Sequence, residues 1–111
     1  MSTIKNFTSR EQSRKLAEIL PLESADMYWW SSGKRYYIEA MDDGDFNEEE
    51  GHIRAWSLAV LLSVLPKYEI YNNGETIQLD VNLEALVTEG DETLLDLVVN
   101  MIIHLHELNL L

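Results

Sequence analysis

The sequence predicts an α+β fold: three helices packed on a small antiparallel sheet made of two hairpins. Three observations carry this reading. Apolar residues recur at helical spacing near the start and at the end of the chain, while residues 36–41 and 77–81 alternate with a period of two. Turn chemistry, Ser32-Gly33 and Asn73-Gly74, sits between pairs of aromatic or β-branched runs. Finally, 111 residues with 46% hydrophobic content suit one domain, 1–111, with a core that needs no disulfide or metal.

The first helix is expected over residues 9–19, after a leading segment, 1–7, expected to be flexible. Thr8-Ser9-Arg10-Glu11 has the capping-box form, with Thr8 as the cap. Glu11 and Lys15 stand four apart in the favourable order, and Leu16, Ile19 and Leu20 supply an apolar face. Pro21 ends the run, because proline disfavours helix at the residue before it and cannot donate. Residues 27–30 and 35–41 form the first hairpin. Tyr36, Ile38 and Ala40 are expected toward the core, and the first arm is aromatic on both faces.

Residues 42–51 form an acidic loop that charge repulsion is expected to keep extended. A second helix is expected over 55–65. Only Ser57 and Ser63 interrupt its apolar residues, so it is expected to be buried on nearly all sides as the central element, with Pro66 ending it. The second hairpin joins 68–71 to 75–81 through Asn73-Gly74, which suits a tight primed turn. Ile77, Leu79 and Val81 alternate with Gln78 and Asp80, giving this sheet one wet face. Residues 83–88 read as a short third strand in preference to a helical turn. The last helix is expected over 92–108 with Asp91 as its cap. Thr93, Asp96, Asn100, His104 and Glu107 form one narrow polar stripe along it.

Charge is the most unusual global property. Twenty acidic residues face eight basic ones, for a formal net charge of −12. Seven carboxylates and no base lie between Glu39 and Glu50, and nine carboxylates and no base follow Lys67. Such a surface repels phosphate backbones and anionic lipid, so no direct nucleic-acid or membrane binding is expected. The absence of cysteine excludes a disulfide scaffold, thiol catalysis and thiolate zinc sites, and fits a reducing compartment. The first residues lack an apolar stretch, so no secretory signal is expected, and residues 94–105 are too short and too polar to span a bilayer.

Motifs for chemistry are missing. His104 and His106 stand two apart, roughly 200° around a helix, and do not share a face for metal chelation. Counted from Asp43, a calcium loop wants glycine at the sixth place and glutamate at the twelfth, where Glu48 and Arg54 stand. No phosphate-binding glycine loop, G-x-S-x-G elbow or H-E-x-x-H helix occurs. No catalytic residue, cofactor or metal site is therefore expected, and the chain reads as a non-enzyme. Its aromatic surplus and acidity point to a partner surface made of Trp29, Tyr37, Asp42, Asp43, Asp45, Glu48, Glu49 and Glu50.

Several blocks also form a recognisable pattern. Ser9-Arg10-Glu11-Gln12-Ser13-Arg14-Lys15-Leu16-Ala17-Glu18-Ile19-Leu20-Pro21 is followed by Ser24-Ala25-Asp26-Met27-Tyr28. Ala55-Trp56-Ser57-Leu58-Ala59-Val60-Leu61-Leu62-Ser63-Val64-Leu65-Pro66 and the closing Leu105-His106-Glu107-Leu108 complete it. Together they cover about half the chain, and they resemble a family of short proteins, without an assigned activity, from gut-bacterial genomes, prophages and related phages. The resemblance implies a phage or mobile-element origin and a cytoplasmic setting, and brings no catalytic residues with it. The expected function is a protein–protein interaction module, binding a protein partner or a second copy of itself. The alternative is an acidic mimic of nucleic acid that inhibits a nucleic-acid-binding protein.

Overall fold

In a computed structural model, which describes residues 6–41 and 45–111, three helices accompany six strands in two antiparallel sheets. The order is α1 (Arg10–Leu16), β1 (Met27–Ser31), β2 (Tyr36–Ala40), β3 (Ile53–Ala55), α2 (Leu58–Val64), β4 (Tyr68–Asn72), β5 (Ile77–Val81), β6 (Glu84–Val87) and α3 (Leu94–Glu107). The α+β class and the three helices are as the sequence predicts. The two hairpins, however, belong to separate sheets, each with a third strand: β2-β1-β3 and β4-β5-β6. Residues 84–87 are the expected strand, whereas β3 was hidden in a three-residue stretch too short to show alternation.

α1 starts one residue later than the Thr8 cap implies. The capping-box pattern fits twice in overlapping register, and Ser9 with Gln12 is the pair used: Gln12 N–H donates to Ser9 Oγ at 3.1 Å, and Ser9 N–H to Gln12 Oε1 at 3.0 Å. Thr8 is instead fully buried, its hydroxyl sharing a 2.7 Å hydrogen bond with Ser13 and accepting from Trp56 N–H at 3.1 Å. The helix ends at Leu16, since Glu18 and Ile19 donate three residues back, to Lys15 and Leu16, in a tighter turn. Residues 1–5 of the leading segment lie outside the described residues. Asn6 and Phe7 are tied to the start of α2, through Leu58 N–H donating to Asn6 O at 2.8 Å and a bridge from Phe7 to Ser57.

α2 is shorter than expected and is not the central element. Ala55 is taken by β3, which pairs with β1, and Ser57 caps the helix by accepting from Val60 N–H. Trp56, fully buried, therefore precedes α2 and is anchored by Nε1 donating to Ser24 Oγ at 2.9 Å. Within α2 only Leu61 is buried, and Ala59 is exposed. An apolar circumference does not guarantee cover when a seven-residue helix lies at the rim.

The centre belongs to α3, whose Leu95, Leu97, Val98, Val99, Met101, Ile102 and Leu105 are buried. They meet Leu16, Trp56, Leu61, Leu79 and Val81 in one core. Its cap is Thr93 rather than Asp91, again in a box: Asp96 N–H donates to Thr93 Oγ1, and Thr93 N–H to Asp96 Oδ2. The polar stripe reaches outward to other elements. Gln12 of α1 donates to Asp96 at 2.8 Å, and His104 lies 3.0 Å from Glu84 of β6.

In β2 the alternation holds but the burial does not, for Tyr36 and Ala40 are exposed and Ile38 is half-buried. β2 is an edge strand, and only the Arg10 guanidinium reaches it from α1, lying 3.7 Å above the Tyr36 ring. The Asn73-Gly74 turn is likewise looser than a two-residue one. Asn72 pairs with Ile77, leaving a four-residue connection in which Gly74, at φ +91°, takes the left-handed backbone and Asn73 Oδ1 accepts from Thr76 N–H. Among the described residues no helix is long and apolar enough to cross a membrane.

Candidate interaction surfaces

The sequence-predicted surface does not assemble as one patch. Trp29 pairs with Ile38, and Trp30 with Tyr37, so Trp29 and Tyr37 point to opposite faces of the first sheet. Trp29 is used inside: Nε1 donates to Thr8 O at 2.9 Å and its ring meets Phe7 edge-on at 5.7 Å. Tyr37 remains 41% exposed, with one ring face stacked on Trp30 at 4.7 Å.

Asp42 and Asp43 lie outside the described residues. From Asp45 onward the acidic loop is folded rather than extended. Glu48–Glu50 form a single 3-10 turn, capped by Asn47 Oδ1 accepting from Glu49 N–H at 2.9 Å and closed by Gly51 at φ +83°. Aromatic contacts outweigh the repulsion: Phe46 packs edge-on against Tyr28 at 5.7 Å, and His52 stacks on Tyr28 at 5.2 Å. Glu48 is engaged by Arg54 Nε at 3.2 Å, while Asp45, Glu49 and Glu50 are exposed.

A different surface was less visible in the sequence. All five residues of β4 are exposed, including Tyr68 at 37%, Ile70 at 38% and Tyr71 at 51%. On the inner face, Tyr68 stands beside Val81, and Ile70 beside Leu79, both of which are fully buried. α3 packs against β5 and β6. The molecule is flat, 41 × 36 × 20 Å, and a 20 Å thickness holds only about two packed layers. The alternation of 77–81 announced a wet outer face. It contained no sign that the inner face of the neighbouring strand would also be open.

Among the described residues β4 pairs with β5 alone, so its other edge presents backbone N–H and C=O groups unpaired among them. On the outer face Glu69 stands directly opposite Asp80, a like-charge pair of the kind that destabilises a sheet. Tyr71 and Gln78 relieve part of this, the Tyr71 hydroxyl donating to Glu69 and Gln78 Nε2 to Asp80 at 2.8 Å. The hydrogen bond to Glu69, and then the Glu69 charge, raise the Tyr71 phenol above its ordinary 10.0. Two open clefts flank this strand. One, of about 370 Å³, is lined by Lys67, Tyr68, Glu69, Tyr71, Asp80 and Asn82; the other, of about 340 Å³, by Ile70, Tyr71, Asn72, Asn73, Thr76 and Gln78.

β2 is the comparable edge in the first sheet, but its side chains are occupied: Tyr36 lies under Arg10, Tyr37 on Trp30, and Glu39 accepts from the Tyr28 hydroxyl. In β4, Glu69 and Tyr71 engage each other, and Asn72 Oδ1 accepts from Gly74 N–H within its own turn. No protein-family model matches the chain, and neither a curated protein nor a solved structure matches it.

Proposed function

We propose that this chain is a protein-interaction module that docks an extended, basic segment of a partner protein along the free edge of β4. The observation that carries the reading is an edge strand exposed at all five residues, with neither proline nor a bulge. Sheet edges are ordinarily guarded by proline, inward charges, bulges or a covering element. β4 contains no proline, pairs with β5 in unbroken register from Tyr68 to Asn72, and leaves Tyr68 and Ile70 more than a third exposed. Strand addition supplies main-chain hydrogen bonds, and clefts beside alternate positions supply selectivity. The flanking clefts are placed for that.

Charge decides the occupant. After Lys67 the chain has nine carboxylates and no base, and Glu69 on the docking strand lies opposite Asp80 of the neighbouring β5. A basic segment relieves their repulsion, whereas a second copy brings another net −12. The nucleic-acid-mimic alternative has the net charge in its favour. Against it, Glu48, Glu84, Glu92 and Asp96 are engaged by other side chains of the fold, not ranged as free anions.

A peptide alternating lysine and valine tests the proposal. It should bind saturably, weaken as salt rises, and lose about tenfold in affinity in the Glu69→Gln, Asp80→Asn double variant. A peptide alternating glutamate and valine should not bind. Equal binding of both peptides, or of neither, contradicts the proposal. Dimerisation that an Ile70→Pro variant abolishes would assign the same edge to a second copy.

A further inference from the structure

A second feature lies away from β4, in a cleft of about 240 Å³ between α1 and the start of β3, lined by Ser13, Arg14, Ala17, Leu22, Glu48, His52, Ile53 and Arg54. Two of the eight basic residues of a strongly acidic chain line this one cleft, together with a histidine. Their surroundings hold two of these three groups in place. Arg54 is fixed by Glu48 at its Nε and by the Phe46 ring 4.5 Å below its guanidinium, which leaves its terminal nitrogens unengaged among the described residues. His52 accepts from Asn47 N–H at Nδ1, at 3.0 Å, while stacked on Tyr28, and its Nε2 faces Glu50 Oε2 at 3.7 Å. The Arg14 side chain has no hydrogen bond or ion pair among the described residues. The remaining walls, Ala17, Leu22 and Ile53, are apolar; Glu48 lines the cleft, and Glu50 stands against its His52.

We infer that this cleft binds a carboxylate attached to a short apolar body. Guanidinium groups recognise carboxylates through paired N–H donors, and Arg14 and Arg54 both have such donors to offer. Glu48 offsets one of the two positive charges, which favours a monoanion over a doubly charged phosphate. At about 30 Å³ per water-sized group, the volume suits roughly eight non-hydrogen atoms. The apolar walls then cover the ligand's hydrocarbon, as in small-molecule sites generally. A free organic acid and the C-terminal leucine of a peptide present the same chemistry.

Titration of the full chain with 4-methylpentanoate, followed by amide chemical shifts, tests the assignment. Saturable shifts are expected at residues 13–17 and 52–54, with the neutral amide of the same acid inert and inorganic phosphate binding more weakly. Arg14→Gln should weaken the acid at least about tenfold, and Lys34→Gln should leave it unchanged. Arg54→Gln serves as a second variant wherever its fold is shown intact, because Arg54 also holds Glu48 and Phe46. A peptide ending in leucine, compared with its C-terminal amide, separates the two sources, and binding by either free carboxylate supports the site. Absence of saturable shifts, equal binding of the amide, tighter binding of phosphate, or unchanged affinity in Arg14→Gln would each overturn it. None of these outcomes bears on the β4 edge, whose probes are basic peptides.

Discussion

Thr8 shows how one side chain can join distant parts of this fold. Its hydroxyl bonds Ser13 of α1 and receives Trp56 N–H, its carbonyl receives Trp29 Nε1, and its own N–H donates to Trp56 O. Thr8→Val keeps the shape and removes the hydroxyl, leaving the buried Trp56 N–H without its acceptor. Urea unfolding should show a loss of about 1–3 kcal/mol, whereas Thr8→Ser should lose distinctly less. At the surface, Tyr71 should ionise above the ordinary tyrosine range in an ultraviolet titration, and Glu69→Gln should bring it down. The direction follows from linkage: a phenol whose pKa is raised by folding contributes stability below its unfolded pKa, near 10.0, and loses it as pH climbs past the folded value. Trp30 Nε1 is buried without a hydrogen-bond partner among the described residues, and the structure contains no compensation for it.

At the scale of elements, the sequence was most legible where one pattern had one solution. β1 with β2, β4 with β5, and α3 all fall within a few residues of their expected places. The errors arose where patterns overlapped or where cover was decided elsewhere. Thr8/Glu11 and Ser9/Gln12 both satisfy a capping box, and Asp91 competes with Thr93, so only the folded geometry selects the cap. Thr93→Ala should therefore cost about 1 kcal/mol in thermal or urea unfolding, while Asp91→Ala should stay within about 0.5 kcal/mol. An equal loss at both positions would contradict the assigned cap. The apolar run 55–65 concealed a strand, a buried tryptophan and a short helix, because hydrophobicity alone does not distinguish these. The candidate surface was legible only in part. Tyr37 is exposed as expected, but Trp29 is drawn inward by Thr8, and β4 is exposed at all five residues.

Across the whole molecule, flatness and charge act together. Two small sheets in a body 20 Å thick leave β4 exposed along its length, and a net charge of −12 opposes the approach of a second copy to that edge. The same charge attracts a basic strand, and this is the central claim. Backbone amide exchange tests it most directly, read residue by residue with and without the lysine–valine peptide. In the free protein the outward-facing amides of residues 68–72 should exchange fast while those of β5 are protected. With the peptide bound, alternate amides of β4 should slow by at least about tenfold, and those of β2 should not change. Slowing at β2, or no slowing at β4 despite saturable binding, would place the partner elsewhere and contradict the account.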